Sequence, residues 1–297
     1  MSANLPEKQT AVSLATSAWC LLGGGNMAKA IVRGAVASGA IGPDRFVIVE
    51  PDELKRRGFE SDGVVARGGL TEAVADLARI EARSGTGHFV LAVKPQMFPH
   101  VAAELRTALD AVPRRVVSIM AGLPSNHIEA SLGPNARVIR FMPNTPAQIR
   151  MSTTAWARGL SARAGDEAET ISLFATLGLA IELEERLFDA FTAVAGSGPA
   201  YLFYLAEAMM NAATKEGIDA KASATIVRSV LAGSSELLRA NPDLSPDDLR
   251  RNVTSKGGTT EAAISVLDEG RVREMIERAI GAAASRGKAL AGSHTPA

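Results

Sequence analysis

The segment Val253-Thr-Ser-Lys-Gly-Gly-Thr-Thr-Glu-Ala262 crowds the hydroxyls of Thr254, Ser255, Thr259 and Thr260 around two adjacent glycines, Gly257 and Gly258, just before residues that read as helix. Free backbone N–H groups at a helix start, with hydroxyls beside them, make a site for a carboxylate; without a ligand the same residues make a heavily capped helix start. A second constellation is Gly23-Gly24-Gly25-Asn26-Met27-Ala28, which follows the apolar run Trp19–Leu22 and opens a helix. This is the G-x-G-x-x-A dinucleotide fingerprint in its strand–turn–helix context. Gly23 permits the tight turn, Gly25 lets a pyrophosphate approach the backbone, and Ala28 allows close helix–strand packing. The helix start at Asn26 and Met27 supplies unpaired N–H groups to the anion.

Glu50 ends the next strand, where an acid accepts hydrogen bonds from a ribose 2′-OH and repels a 2′-phosphate. That favours NAD, whereas Lys55, Arg56 and Arg57 close behind it read either as a phosphate grip or as a solvated helix face. NAD and NADP both stay open at this point. In an open α/β sheet the ligand crevice lies beyond the carboxyl ends of the strands. The loops Ala92-Val-Lys-Pro-Gln96, Ser118-Ile-Met-Ala-Gly122 and Met142-Pro-Asn-Thr-Pro146 end strands and should line it. Ala92, Val93, Lys94, Pro95, Ala121 and Asn144 are accordingly expected at the cofactor. Lys94 is there as a cation, or else as a strand-end surface lysine, and Asn144 as a hydrogen-bonding group.

Other chemistries find little support. His88, His100, His127 and His294 are isolated, and Cys20 is the single cysteine, so neither a metal site nor a disulfide framework is expected. Lys plus Arg and Asp plus Glu are 32 each, without the basic excess of a nucleic-acid binder, and aromatic residues are only 4%, too few for stacking platforms. No apolar run reaches membrane-spanning length. Glu7 beside Lys8, and the bulky Trp19 before Cys20, argue against a secretory signal at the N-terminus. A cytoplasmic, reducing setting is expected.

The elements that must position these residues divide the chain of 297 residues in two. Strands at Trp19–Leu22, Val47–Glu50, Phe89–Val93, Val116–Met120 and Val138–Met142 alternate with helices at Met27–Ser38, Thr71–Ala82 and Phe98–Leu109. Thr153–Ala157, a helix near Asp166–Leu177 and Ala180–Leu183 continue the pattern, which is that of a parallel α/β sheet. Beyond Glu184 only helices are expected. Pro199–Glu216 is apolar on most of its circumference and needs a second subunit to cover it. Asp219 and Ser245-Pro246-Asp247-Asp248 open two further helices, and others start near Thr260 and Arg271. The expected organisation is a flexible tail over 1–17, a Rossmann-like NAD(P)-binding domain over 18–184, and an all-α dimerisation and substrate-binding domain over 185–297. Its last stretch, Ser285–Ala297, is expected to fray.

Taken in order, Gly-Gly-Gly-Asn-Met-Ala, Ala-Val-Lys-Pro-Gln, Met-Pro-Asn-Thr-Pro, Gly196-Ser-Gly-Pro-Ala-Tyr201 and above all Val-Thr-Ser-Lys-Gly-Gly-Thr-Thr resemble pyrroline-5-carboxylate reductase, from about residue 19 to 283. The resemblance implies reduction of L-1-pyrroline-5-carboxylate to L-proline, the last step of proline synthesis, with NADPH or NADH as hydride donor. It also implies that Ser255, Gly257, Gly258 and Thr259 hold the substrate carboxylate and that Thr260 hydrogen-bonds the ring nitrogen. An interlocked homodimer, in some members part of a larger ring, would pair the cofactor domain of one subunit with the helical loop of the other. The chain departs from the family pattern at Lys256, where many members have proline, and at Glu50, since many members favour NADPH. Related two-domain reductases are the nearest rivals. Hydroxyacid dehydrogenases place a catalytic lysine where Leu202 stands here, and imine reductases lack the Thr-Ser-x-Gly-Gly-Thr-Thr loop. A non-catalytic nucleotide sensor would share the fold.

Overall fold

The computed structural model describes residues 12–109 and 113–292. These form two compact units, residues 12–196 with 283–292, and residues 197–282. The first is built on an eight-stranded sheet of order β3-β2-β1-β4-β5-β6-β7-β8. Its strands are β1 (Ser17–Leu22), β2 (Phe46–Val49), β3 (Val65–Arg67), β4 (Thr86–Leu91), β5 (Arg114–Ser118), β6 (Ala136–Met142), β7 (Ser152–Arg158) and β8 (Gly178–Glu182). Between them run α1 (Asn26–Ala37), α2 (Glu53–Glu60), α3 (Leu70–Ser84), α4 (Phe98–Leu109), α5 (Ser125–Leu132) and α6 (Ala168–Ala175), with the short α7 (Phe188–Phe191) after the last strand. Strands β1 to β6 are parallel in the 3-2-1-4-5-6 order of a dinucleotide-binding sheet. Both faces are dry: Trp19 and Leu21 of β1 pack with Ile31 of α1 on one, while Ala18, Cys20 and Leu22 pack with Leu77 of α3 and Leu105 of α4 on the other.

Strand β7 departs from the expected parallel continuation by running antiparallel to β6. Only residues 143–151 join the two, and a parallel crossover takes about a dozen residues or more. Strand β3 and helix α5 add elements that no apolar run announced. The expected tail is shorter than 1–17. Strand β1 already includes Ser17, Leu14 is 3% exposed, and the Val12 N–H donates to the Ser172 hydroxyl at 3.0 Å; residues 1–11 lie outside the described residues.

The units divide after Gly196 rather than after Glu184. Although strands end at Glu182, Phe188 and Ala193 remain buried in the first unit, and Phe188 packs with Met142, Ala155 and Ala157. Arg140 holds this stretch down, donating to Glu185 Oε1 at 2.6 Å and lying over the Phe188 ring at 4.8 Å.

The second unit carries α8 (Gly198–Lys215), α9 (Ala220–Ala240), α10 (Pro246–Asn252), α11 (Thr259–Glu269) and the beginning of α12 (Val272–Gly292). Asp219 caps α9 by accepting from Lys221 and Ala222 N–H, and Ser245 with Asp248 forms a reciprocal capping box before Pro246. Helix α12 continues to Gly292, so the fraying expected from Ser285 does not begin there; residues 293–297 lie outside the described residues. Only Ser223 and Val227 of this unit are buried within a single chain. Along α8, Leu202, Phe203, Tyr204 and Leu205 are 53%, 71%, 77% and 47% exposed. A helical unit with so little interior lacks the burial that would offset its ordering entropy.

Candidate active site

The fingerprint turn sits at the carboxyl end of β1, between β2 and β4, where the strand order reverses. Gly23 has φ +108, and a Cβ there would stand 2.7 Å from Ala92 O, so both conformation and the neighbouring strand demand glycine. Gly25 is the opposite case: a Cβ would meet nothing within 4 Å, leaving its face open to a ligand. Gly25 N-caps α1 without any side-chain cap, so the first-turn N–H groups keep their capacity for an anion.

A cleft of about 400 Å³ opens in front of this turn. Gly23, Gly25, Glu50, Ala92, Val93 and Lys94 line it together. Lys55, one of the cations expected either as a phosphate grip or as a solvated helix face, lines it too, and so do Gly68, Gly69, Met97, His100 and Glu104, which no motif had pointed to. The Gly68-Gly69 pair before α3 was a readable signal, but recognising it required strand β3, which has only three residues. Glu50 follows β2 directly and is 8% exposed, with Oε2 accepting from Gly24 N–H at 2.9 Å and Oε1 from Asp52 N–H at 3.1 Å.

The other expected cofactor residues do not line this cleft. Asn26 and Met27 belong to the first turn of α1 without lining the cleft, and Met27 packs toward the core. Pro95 starts the short 3-10 turn after Lys94, and Ala121 is exposed in the loop after β5; neither borders the cleft. Asn144 is a correction. It is 8% exposed, its Nδ2 donates to Ala195 O at 2.9 Å, and its Oδ1 accepts from the Ser152 hydroxyl at 3.1 Å and Thr153 N–H at 3.0 Å. Its amide is consumed in tying the β6 loop to β7 and to the π-helical turn Thr192–Gly196, leaving little for a cofactor.

In the second unit the hydroxyl-rich loop ends on Gly258, which N-caps α11 without side-chain help. Gly257 has φ +74, which favours glycine, while a Cβ on Gly258 would crowd the Ser255 hydroxyl at 2.6 Å and require it to turn. Their N–H groups are already used: Gly258 donates to Ser255 O at 3.0 Å and Gly257 to Glu261 Oε2 at 2.6 Å. The first-turn N–H groups of Thr259 and Thr260 have no acceptor within an α-helix, and Thr260 is half-buried while Ser255 and Thr259 are exposed. The Thr254 hydroxyl turns back to Arg250 O at 2.7 Å. The described residues contain no cluster of His, Cys, Asp or Glu able to hold a metal, and no helix long and apolar enough to cross a membrane.

The geometry therefore presents a nucleotide cleft in one unit and a polar helix-start loop in the other. Comparison with known proteins matches a profile to each half of the chain. Residues 19–122 match the profile described as "NADP oxidoreductase coenzyme F420-dependent", and residues 185–290 match "Pyrroline-5-carboxylate reductase dimerisation". That second match and the uncovered apolar faces of α8 agree on a homo-oligomer. The chain is 32% identical over 273 residues to the pyrroline-5-carboxylate reductase of Arabidopsis thaliana, covering 92% of this chain and 95% of that one. Among solved structures, a pyrroline-5-carboxylate reductase from Coxiella burnetii superposes with a TM-score of 0.81 at 32% identity, over 93% of this chain and 98% of that one. The Plasmodium falciparum pyrroline carboxylate reductase, solved with NADP bound, shares the fold with a TM-score of 0.80 at 23% identity, over 92% and 98% of the two chains. With a relative at this identity matched along almost its whole length, the chain belongs to the pyrroline-5-carboxylate reductase family.

Proposed function

We infer that the protein reduces L-1-pyrroline-5-carboxylate to L-proline, using a reduced nicotinamide dinucleotide held in the cleft of the first unit. The observation that carries this reading is the Val253–Ala262 loop, with Gly257 in the left-handed conformation and hydroxyls gathered at the start of α11, on a chain that also holds a dinucleotide cleft. When bound, the cofactor supplies a hydride. The protein must then hold a small anionic imine so that its C=N carbon receives that hydride while its nitrogen gains or keeps a proton. An imine needs orientation more than a strong base.

The N–H groups of Thr259 and Thr260 and the Ser255 hydroxyl are proposed to take the substrate carboxylate. Gly257 and Gly258 contribute the shape of the loop, and the Gly257 N–H joins the carboxylate set when Glu261 releases it. The Thr260 hydroxyl is proposed to hydrogen-bond the ring nitrogen; water or the substrate itself carries the proton. Gly23, Gly25, Asn26 and Met27 are proposed around the pyrophosphate, and Ala92, Val93, Lys94, Pro95 and Ala121 along the cofactor, with Asn144 supporting these loops from behind. The assembly is proposed as a homodimer, with a ring of dimers as a higher state, in which one subunit's loop completes its partner's cleft. The protein is proposed to work in the cytoplasm.

Purified protein with pyrroline-5-carboxylate and either NADH or NADPH is expected to oxidise the cofactor and form proline. No oxidation with either cofactor overturns the reading.

A further inference from the structure

The corner of the cleft formed by β2 and the fingerprint turn carries a fixed negative charge. Glu50 is pinned from both ends. Its backbone N–H donates to Arg67 O at 3.0 Å, and its Cβ and Cγ lie so near Gly24 that a Cβ there would come within 3.0 Å of each. Its two carboxylate oxygens accept one backbone N–H apiece, from Gly24 and Asp52. Swinging the carboxylate aside would leave the buried Gly24 N–H without its acceptor, which burial makes costly.

A carboxylate has roughly four acceptor sites, so two bonds leave capacity for further donors from the cleft that Glu50 lines. A ribose with free hydroxyls offers such donors. A 2′-phosphate offers only acceptors, with added negative charge. The neighbouring cations do not reverse this balance. The Arg56 Nη1 atom turns back to donate to Glu50 O at 2.8 Å and Pro51 O at 2.6 Å, and Arg57 pairs with Glu53 at 2.5 Å on the outer face of α2. Of these three only Lys55 lines the cleft, and its Nζ already stands 3.7 Å from Glu50 Oε1; Lys94 lines it from the other side of the fingerprint turn, after β4.

We propose that this chain takes NADH in preference to NADPH, with Glu50 as the specificity-determining residue and Lys55 tempering its charge. The inference concerns the cleft's own residues and rests on the reductase reading only for the identity of the reaction.

Dissociation constants of NADH and NADPH, and of AMP and 2′-AMP, measured by calorimetry on the full-length protein, test it without turnover. Wild type is expected to bind the unphosphorylated member of each pair at least about tenfold more tightly, the equivalent of ~1.4 kcal/mol. Glu50→Gln keeps the shape and removes the charge; it and Glu50→Ser are expected to collapse the ratio, mainly by tightening NADPH. Lys55→Met is expected to widen it. Rising salt is expected to narrow the wild-type ratio only modestly, because Glu50 is largely buried and poorly screened. Equal or NADPH-favouring constants in wild type, or an unchanged ratio in both Glu50 variants, overturn the proposal; should those variants fail to fold, the wild-type ratio and its salt response decide alone. A protein that prefers NADH yet forms no proline sinks the reductase reading and leaves this one standing.

Discussion

At the scale of single residues the site depends on groups that cannot be exchanged even for close relatives. Gly23 combines φ +108 with a carbonyl that would stand 2.7 Å from an added Cβ. Gly23→Ala is expected to cost about 1–3 kcal/mol, read as a lower denaturant midpoint, and to weaken binding of either nicotinamide dinucleotide. An unchanged midpoint and affinity would show that the turn tolerates the side chain. Thr260 makes a different prediction, because its hydroxyl is assigned to the reacting nitrogen. Thr260→Ala is expected to lower kcat by about tenfold or more, the worth of one hydrogen bond to a group that gains charge, with cofactor affinity intact. Wild-type turnover in that variant removes Thr260 from the mechanism. These residues were legible because turn glycines and capping hydroxyls act locally. Asn144 was legible as special but not in its role, since Ala195 and Ser152 reach it only through the tertiary fold.

At the scale of elements, Asn144 joins the β6 loop to β7 and to the turn before α8, so its loss should be felt as stability rather than as cofactor affinity. Asn144→Ala is expected to destabilise by about 2–4 kcal/mol, because it leaves buried partners unpaired. A thermal melt matching wild type would contradict this. The opposite end of the sheet carries a second element-level device. His88 of β4 is fully buried, stacks on Trp19 of β1 at 4.0 Å and hydrogen-bonds Glu169 of α6, which also accepts from the Ser17 hydroxyl at 3.0 Å and pairs with Arg115 of β5 at 3.5 Å. Burial holds the His88 imidazole below its ordinary range despite the pull of Glu169. Burial alone would raise Glu169, but the hydrogen bond from His88, with the charge of Arg115, brings it down to about 2.

Both groups thus bind protons less readily when folded, so their contributions are present at neutral pH and lost as pH falls. The His88 contribution fades below about pH 6.5, and that of Glu169 fades between its ordinary range and about 2. Denaturant midpoints are expected to fall across both windows in wild type; in His88→Gln the upper fall is expected to vanish and the lower one to shrink to what Arg115 and Ser17 still supply to Glu169. A wild-type midpoint that rises on acidification would contradict the assignment. Among the elements, β1, β2, β4, β5 and β6 were legible as Val- and Ile-rich runs covered on both faces. Strand β3 was too short to announce itself, and the direction of β7 was hidden in the length of the link over residues 143–151 rather than in any pattern of side chains.

At the scale of the whole molecule, the apolar circumference of α8 was readable as a surface awaiting a cover, and the second unit confirms the need by burying only Ser223 and Val227 within one chain. Phe203→Glu, at a side chain 71% exposed in the single chain, is expected to shift sedimentation toward monomer and to lower activity and thermal stability together. Unchanged assembly would place the interface elsewhere. The boundary between units escaped the sequence reading because the strands end at Glu182, while the packing of Phe188 and Ala193 carries the first unit on to Gly196. The central claim joins the two units' chemistries, hydride from a dinucleotide in the cleft and an imine held through its carboxylate. It is tested most directly by turnover of pyrroline-5-carboxylate with reduced cofactor carrying deuterium on the transferred position of the nicotinamide ring. The account predicts proline with the deuterium on the former imine carbon; proline without deuterium, or no proline with either cofactor, would contradict it.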